Sequence, residues 1–447
     1  MGGHIEILDW DSTLIWQYTY SSSEFSQHHD IFPLPNGNIL MLAVNTMSES
    51  EAIQSGRDPS LILDNKIFNE QILELEPIGN DQANIIWEWN FKDHLIQNHD
   101  NTKDNYGVIS EHPELLDFNY LNNNNGNANW LHINSIQYNA NLDQIILSSR
   151  LLSEVYIIDH STTTAQAASH SGGTYGKGGD ILYRWGNKEA YDMGDENDRT
   201  LYSQHYPHWI EDGLNDAGKI IVFNNGNSIR FSSANIFNPP TISPGEYAYD
   251  NVNGFGPESS DWIYTAPNPE DFFSSILSSA QRLPNGNTLI CDGDSGYFFE
   301  LNSSNNIVWE YINPDTTNGI LSQGDDPSQN LVFRALKYNI NHIAFSGRDL
   351  PPGNPIELNP DLSDCTLLSN PSFNQISYKL YPNPVNSYLN INTEKNITHI
   401  KITNLLGSIT KEVKNSNTID LSEIAQGLYI IQFEIEGIIY IEKIVKK

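Results

Sequence analysis

Short alternating runs of apolar and polar residues, separated by turns rich in Gly, Asn and Pro, extend over most of the chain. The stretch Ser278–Tyr311 shows the unit most clearly, because it contains four strand patterns in succession. Its first two strands are joined by Pro284-Asn285-Gly286-Asn287, and Asn-Gly between apolar runs predicts a type I′ hairpin. Four consecutive strands predict one blade of a β-propeller.

The unit recurs along the chain. LPNGNIL at Leu34–Leu40 matches LPNGNTL at Leu283–Leu289, and the alternating last strand of the unit occurs five times, at Leu14–Tyr18, Ile85–Trp89, Ile181–Trp185, Asp261–Thr265 and Ile307–Tyr311. Repetition of this kind predicts stacked or circular repeats. Four blades are predicted, beginning near His28, His132, His205 and Ser278.

Both ends of this repeat region are incomplete. A strand pair at Val332–Phe345 is predicted to begin another blade, and the first residues supply two strands without the hairpin that should precede them. Two incomplete ends favour ring closure, in which the N-terminal strands complete the last blade. Alternatively, one hairpin lies upstream of Met1.

The last part of the chain has a different pattern. Around Pro351–Phe373 the sequence becomes rich in Pro and Asn and loses the strand pattern, as linkers do. Residues 376–447 then alternate over about seven short strands, which predicts a small β-sandwich. The predicted domains are therefore a propeller at 1–357, a linker at 358–375 and a sandwich at 376–447.

Composition narrows the functional classes. The net charge is −33, from 23 basic and 56 acidic residues, which argues against nucleic acid or an anionic membrane as a partner. No apolar run is long enough for a membrane span. The two cysteines, Cys291 and Cys365, are too few for a disulfide framework, and Cys291 is predicted to be a small buried residue.

Histidines stand at the start of three blades, just before strands that should line the central channel. The candidates there are His28, His29 and Asp30 in QHHDI, His132 in WLHINSI, and His205 and His208 in QHYPHWI, followed by Asn225 and Arg230 in FNNGNSIR. Imidazoles serve as nucleophiles, acids or bases near neutral pH, and arginine binds oxyanions through two parallel bonds. A single histidine near a strand start is more often structural, but three blades that all begin with one suggest an anion site. Because only His28–His29 and His205–His208 are closely spaced, we expect no metal.

These motifs resemble the bacterial arylsulfate sulfotransferase (arylsulfotransferase) family over about residues 2–357. The resemblance rests on segments such as QHHDIFPLPNGNIL, EAIQSGRDP, WLHINSIQYNANLDQIILSSR, GKGGDILYRWGN, QHYPHWI and SAQRLPNGNTLICDGDSGYFFEL. It implies an all-β fold with a six-bladed propeller, of which the first hairpin is not found in this chain. It also implies transfer of a sulfuryl group between phenols without a nucleotide sulfate donor or any other cofactor.

The resemblance also implies roles for individual residues. A channel histidine of the family is the transient nucleophile, which gives a sulfohistidine and ping-pong kinetics. His132, His205 and Arg230 match family positions that bind the sulfate oxygens and assist the leaving phenolate. The nucleophilic histidine itself has no counterpart, because the region that should carry it reads CDGDSGYFFEL, with Tyr297 nearest. Another residue, such as His28 or His29, would then carry the sulfuryl group.

The C-terminal segment resembles the sorting domain of the type IX secretion system of Bacteroidetes. The matching motifs are YPNP, LLG, AQGLYIIQF and the terminal KIVKK, in that order. The resemblance implies a secreted or cell-surface protein, the type IX machinery as a partner of residues 376–447, and a signal peptide upstream of Met1.

The sequence is compatible with three functions. The first is an exported enzyme that acts on small aryl sulfates and phenols. The second is a non-catalytic propeller that binds an anionic or sulfated ligand, or a surface partner. The third is a hydrolase on the same scaffold, for which the sequence offers no evident base or metal.

Overall fold

The computed structural model describes residues 2–122, 126–361, 378–393, 395–404, 409–435 and 438–447. The chain divides into two compact units, Met1–Pro360 and Asp361–Lys447. The predicted linker at 358–375 falls mostly outside the described residues, so the predicted domain limits stay predictions. Regular structure is nearly all β. The helices are α1 (Glu49–Gln54), α2 (Thr164–Ala167) and 3₁₀ turns at Pro59–Leu61, Phe91–His94, Ile109–Glu111, Lys188–Tyr191, Glu196–Asp198, Pro269–Asp271 and Ile343–Phe345.

The first unit consists of a two-stranded hairpin followed by four antiparallel four-stranded sheets, each with its strands in chain order. The hairpin is β1 (His4–Leu8) and β2 (Leu14–Thr19), and the first sheet is β3 (Phe25–Pro33), β4 (Ile39–Ser48), β5 (Lys66–Ile78) and β6 (Gln82–Asn90). After the short β7 (Leu95–Ile96) and β8 (Leu116–Asp117), the second sheet is β9 (Ile133–Asn139), β10 (Gln144–Ser149), β11 (Glu154–Asp159) and β12 (Tyr183–Trp185).

The third and fourth sheets follow the same plan. The third is β13 (His205–Trp209), β14 (Ile220–Asn224), β15 (Ser233–Phe237) and β20 (Trp262–Tyr264). The insertion between β15 and β20 contains the short strands β16 (Thr241–Ser243), β17 (Glu246–Tyr247), β18 (Tyr249–Asp250) and β19 (Gly254–Phe255). The fourth is β21 (Ser279–Arg282), β22 (Thr288–Asp292), β23 (Tyr297–Leu301) and β24 (Ile307–Ile312), followed by the short pair β25 (Asp315–Thr316) and β26 (Gly319–Ile320). The four predicted blades are therefore confirmed as sheets, and a total of six blades stays a prediction.

The hairpin turns differ from the predicted type. A type I′ turn needs positive φ at both central residues, but in the two LPNGN loops only the glycines have it, with φ of +91° at Gly37 and +85° at Gly286. Gly37 N donates to Leu34 O (3.0 Å) and Leu34 N to Asn38 O (2.8 Å), so a tight turn is followed by a left-handed glycine. Proline at the second loop position favours this form, because its φ is fixed near −65°.

The predicted strand pair at Val332–Phe345 is wrong. The described chain there has no strand, although it runs beside β21. Side chains replace part of the ladder, because Ser279 Oγ accepts from Ala335 N (3.2 Å) and Gln281 Oε1 accepts from Lys337 N (2.8 Å). Backbone groups are satisfied in this way without regular pairing.

Contacts between the two ends of the first unit fit the predicted ring closure. Ile5 and Trp16 of the N-terminal hairpin are buried against the first sheet. At the tip of the same hairpin, the Trp10 ring lies 5.9 Å from that of Phe345, and the Arg348 guanidinium lies 4.4 Å from the Trp10 ring. The N-terminal strands thus contact both the first sheet and the last part of the unit.

The second unit contains seven strands in its described residues: β27 (Lys379–Tyr381), β28 (Tyr388–Asn392), β29 (Ile397–Asn404), β30 (Ile409–Lys414), β31 (Thr418–Asp420), β32 (Gly427–Ile435) and β33 (Ile438–Lys446). They form two sheets with the orders β27-β28-β31 and β30-β29-β32-β33. Leu389 and Ile391 of the first sheet share one core with Ile400, Ile431 and Phe433 of the second. A small sandwich requires such packing, and the sandwich itself stays a prediction.

Two smaller expectations concern burial and the membrane. Cys291 is fully buried on β22, and burial raises the pKa of its thiol to about 12, as expected of an inert core residue. Cys365 lies outside the described residues. Among the described residues, we find no helix with the length and apolarity that a membrane crossing requires.

Candidate functional site

The first strands of the sheets are irregular where the candidate histidines lie. The pairing register shifts between Gln27 and Ile31 of β3, and between His205 and His208 of β13. His29 and His132 both have a φ of +52°, and Tyr206 has +54°. Such conformations are costly for residues other than glycine and cluster at functional sites. The bulge in β3 breaks strand alternation, so His28 and His29 both line the same cavity.

That cavity has a volume of about 610 Å³. Its polar wall includes His28, His29, His132, Glu70 and Asn129, and its apolar wall includes Phe25, Val44 and Phe68. The combination of several imidazoles with aromatic rings is suited to a small ligand that is anionic at one end and aromatic at the other.

A relay of three side chains begins at one wall of the cavity. His28 Nε2 lies 2.8 Å from Glu70 Oε2, and His28 Nδ1 lies 2.7 Å from His29 Nδ1. Burial opposes protonation of His28, but the carboxylate of Glu70 outweighs it, so the pKa of His28 is raised. Burial, with the charges of His28 and Arg150, lowers the pKa of His29 to about 4. His29 is therefore neutral at pH 7, and His28 decides which of its nitrogens carries the proton.

His132 lies next to His29, with their ring centres 4.6 Å apart. Asn129 Nδ2 lies 2.8 Å from His132 Nδ1. An amide NH₂ can only donate, so Nδ1 accepts and the proton of the neutral ring is on Nε2. Burial, reinforced by His29 and Arg150, lowers the pKa of His132 to about 3. His132 is thus a neutral hydrogen-bond donor.

His205 has the opposite tautomer. Its Nδ1 lies 2.6 Å from Asn225 Oδ1, while Asn225 Nδ2 donates to Ser274 O (2.9 Å) and Leu277 O (3.2 Å). Because the amide orientation is fixed by these carbonyls, His205 Nδ1 must donate and Nε2 keeps its lone pair. Burial, with weaker effects of Arg150 and His29, lowers the pKa of His205 to about 3. His205 is therefore a neutral acceptor or base.

Arg150 completes the cluster, and sequence reasoning missed it. Its backbone N donates to His132 O (3.1 Å), and its charge lowers the pKa values of His29, His132 and His205. No ion pair joins Arg150 to a carboxylate in the part of the chain that the structure describes. Burial lowers its own pKa. A half-buried guanidinium without a counter-ion is a binding group for an anion.

A positional signal could have found Arg150. It directly follows β10, the second strand of its blade, and Asn225 directly follows β14 in the next blade. In both blades this position lies beside the histidine at the start of the first strand. If the residues of the first two strands are paired outward from the hairpin turn, the sequence therefore pairs Arg150 with His132, as it pairs Asn225 with His205.

Asp30 separates this cavity from a second one. Asp30 is buried, forms an ion pair with Arg334 and accepts from Ile136 N (3.1 Å). Residues before Asp30 line the first cavity, and Ile31, Phe32 and Pro33 line the second, of about 430 Å³. His208 lines this second cavity with Arg334, and burial lowers its pKa to about 4. The structure thus places Asp30 and His208 outside the cluster of imidazoles.

Two further candidates lie apart from the cluster. Arg230 is exposed, with its guanidinium 4.4 Å from the Phe273 ring centre, and has no contact with the imidazoles among the described contacts. Tyr297 lies on β23, the third strand of its sheet, and its hydroxyl donates to Glu310. Burial and this carboxylate raise the pKa of Tyr297, which disfavours the phenolate.

The repeated four-stranded meanders define a protein of the β-propeller class. A family model, arylsulfotransferase (ASST), matches residues 13–335. The chain therefore belongs to the arylsulfotransferase family. A second model, the secretion system C-terminal sorting domain, matches residues 379–447. The sorting domain makes this an exported protein, secreted or at the cell surface, and points to the type IX secretion machinery as a partner.

Solved structures with detectable likeness are distant. One is a protein of unknown function from Bacteroides caccae, with 11% identity over 69% of this chain and 74% of that chain and a TM-score of 0.35. Another is the virginiamycin B lyase of Staphylococcus aureus, with 11% identity over 69% and 82% and a TM-score of 0.20. Both likenesses are too weak to define an activity. A comparison with curated proteins finds no match.

Proposed function

We propose that this exported protein transfers a sulfuryl group from an aryl sulfate to a phenolic acceptor, without a nucleotide sulfate donor. The observation that carries the proposal is the arrangement of His29, His132 and His205 around Arg150, a cation that has no carboxylate partner among the described residues. Family membership supports the same reaction. All three imidazoles are neutral at pH 7, so the arginine supplies the positive charge for the sulfate group.

Binding of the donor uses both walls of the cavity. Arg150 binds the sulfate oxygens, and His132 Nε2–H donates to the bridging oxygen as negative charge develops on it. The aryl ring packs on the apolar wall, where Phe25 and Phe68 lie. Fixed donors at the site of developing charge lower the barrier, because they need no reorganisation during the reaction.

His29 is the proposed nucleophile, because its ring is exposed to the cavity and the relay can hold its proton on Nδ1. When His28 is neutral, its Nδ1 accepts a hydrogen bond from His29 Nδ1–H, which leaves the lone pair on His29 Nε2. This nitrogen attacks sulfur, an N–S bond forms, and the S–O bond to the donor breaks. The donor phenol leaves as its anion, and His28 with Glu70 stabilises the proton on the sulfated ring.

The second half-reaction returns the enzyme to its first state. The acceptor phenol enters the cavity after the donor phenolate has left, as in ping-pong kinetics. His205 Nε2 takes the phenol proton as the phenol oxygen attacks sulfur. The N–S bond breaks, His29 recovers its lone pair, and the proton on His205 passes to solvent.

The assay uses purified protein with p-nitrophenyl sulfate, with and without phenol, and follows nitrophenolate. Release that requires phenol supports transfer, and His29→Ala should abolish it. His208→Ala is the matched control, because His208 lines the other cavity. Release without an acceptor would point to hydrolysis, and aryl sulfate binding without release would indicate a non-catalytic binding protein.

A further inference from the structure

A second group of imidazoles lies outside the channel. His94 ends the 3₁₀ turn after β6, while His170 and Asp180 belong to the insertion between β11 and β12. Asp180 Oδ1 lies 2.8 Å from His94 Nδ1 and 2.8 Å from His170 Nδ1. Among the described residues, these three side chains are the group whose possible ligand atoms lie within 4.8 Å of one another.

The hydrogen bonds of His94 place a ring nitrogen without a proton next to the carboxylate of Asp180. Its Nε2 lies 2.8 Å from Ala167 O, and a carbonyl can only accept, so Nε2 carries the proton. With its proton on Nε2, the His94 ring turns the lone pair of Nδ1 toward a carboxylate oxygen of Asp180. A cation placed between these two atoms would be bound by both. A ring N–H that donates to a carbonyl is also the usual way in which a metal-binding histidine is oriented.

The local backbone is built to hold His94 in this orientation. Trp89 stacks on the His94 ring at 5.1 Å, and Trp89 Nε1 donates to Gly179 O (2.7 Å). A Cβ at Gly179 would lie 1.9 Å from Ala167 O and 2.6 Å from His94 Nε2. Only glycine fits there, so the Gly178-Gly179-Asp180 turn and the His94 ring are packed as one rigid unit.

We propose that His94 Nδ1, His170 Nδ1 and Asp180 bind a divalent transition metal, with Zn²⁺ as the best match. Two imidazoles and a carboxylate are typical of zinc sites with an open fourth position. Ligand atoms around tetrahedral zinc lie about 3.3 Å apart, given bonds of about 2.0 Å. The two observed separations of 2.8 Å need to open only slightly.

The fourth position faces a cavity of about 820 Å³, lined by His170, Asp180 and Asp93 among others. Asp93 is half-buried, and both His94 and His170 act on it electrostatically. Its carboxylate can accept a hydrogen bond from a water at the open metal position. The site joins the end of the first sheet to the insertion of the second, so bound metal should also stabilise the first unit.

The test measures zinc binding by the full chain after removal of metal with a chelator. Wild type should bind one Zn²⁺ per chain at this site, and Co²⁺ in its place should give the absorption of a tetrahedral complex. His170→Ala suits the test, because this side chain is 63% exposed and its loss should not impair folding. Asp180→Asn keeps the shape of the second ligand. Both should weaken binding at least about tenfold and remove the cobalt spectrum.

His112→Ala is the matched control, because His112 lines the same cavity but pairs with Glu114 (2.9 Å). It should bind zinc as wild type does. The proposal is overturned if wild type binds no zinc, or if His170→Ala and Asp180→Asn bind it unchanged. It is also overturned if His29→Ala, which alters the channel cluster, is the variant that loses the metal. A purely hydrogen-bonded cluster would give the first of these results.

Discussion

Replacing Arg150 by glutamine should reduce sulfuryl transfer far more than the same change at Arg230. Sequence resemblance assigns the sulfate-binding role to Arg230, whereas the structure brings Arg150 to the histidines. Both arginines are cations that form no ion pair among the described residues, so the pair of variants separates position from charge. The comparison decides which guanidinium binds the transferred group.

The expected size follows from the position of Arg150. Two unit charges about 4 Å apart attract by about 4 kcal/mol at the effective dielectric of a protein surface. Arg150 is only half-buried, so we expect about 3 kcal/mol, which corresponds to about a 100-fold loss of kcat/KM. Arg150→Lys keeps the charge without the planar fork and should recover part of the loss. Arg230→Gln should change kcat/KM by less than about fivefold.

The assay is nitrophenolate release from p-nitrophenyl sulfate at saturating phenol, with circular dichroism to check that each variant is folded. Arg150 is not the sulfate-binding group if Arg230→Gln lowers kcat/KM about 100-fold while Arg150→Gln stays near wild type. Equal losses in both would mean that the exposed Arg230 moves over the cavity when the donor binds. In that case both guanidinium groups would belong to the sulfate-binding site.

Three further predictions concern pH and stability. Activity should rise with pH as His28 loses its proton. Glu70→Gln should shift this rise in the pH profile of kcat/KM to lower pH, since burial would then lower the pKa of His28 without the opposing carboxylate; an unshifted profile would contradict the relay. His160 lies between Glu74 (3.0 Å) and Asp143 (2.7 Å), and although burial opposes it, these carboxylates raise its pKa to about 9. His160→Gln should therefore lower the free energy of unfolding in urea by about 2 kcal/mol below pH 6.5, a figure that allows for screening at half-exposed Asp143. The difference from wild type should vanish as the pH rises through 9. A loss of stability that grows with pH would be inconsistent with a protonated His160. Asp30→Ala should cost about 3 kcal/mol in thermal unfolding, because it removes the buried partner of Arg334 and leaves that charge unpaired. Asp261→Ala, which removes a surface partner of Lys219, should cost less than about 1 kcal/mol; similar costs would argue against a stabilising ion pair between Asp30 and Arg334.

Local pattern predicted the repeated sheets well. The four strands expected within Ser278–Tyr311 are those observed, because each is a short run rich in apolar residues between strong turn residues. The turn type was predicted less well. Asn-Gly suggested two positive φ angles, but the preceding proline fixes a turn in which only the glycine is left-handed. The proline therefore decides the turn type against the preference of the Asn-Gly pair.

The last part of the ring could not be predicted from local pattern. Val332–Phe345 alternates like a strand pair, yet part of its hydrogen bonding goes to the side chains of Ser279 and Gln281 and it remains irregular. Strand patterns give the tendency to pair, while the partner's side chains decide whether a ladder forms. The contact between Asp30 and Arg334 joins residues far apart in sequence, so it too depends on the closed arrangement.

The candidate site was predicted in part. Histidines at the starts of three blades suggested a cluster, and His29, His132 and His205 do come together. The tautomers of His132 and His205 depend on amide groups three and twenty residues away, which the spacing of the histidines does not reveal. Arg150 was missed because it lies at the far end of a hairpin, and only the strand register brings it beside His132.

The most direct test of the account is to trap the sulfated enzyme. The protein is mixed with excess p-nitrophenyl sulfate without phenol, the reaction is stopped at alkaline pH, and the modified peptide is located by mass spectrometry. The account predicts a rapid release of about one nitrophenolate per chain and a sulfuryl group on His29, removed when phenol is added. A sulfuryl group on His205, His132 or any other residue, or steady release without an enzyme adduct, would contradict the proposed nucleophile.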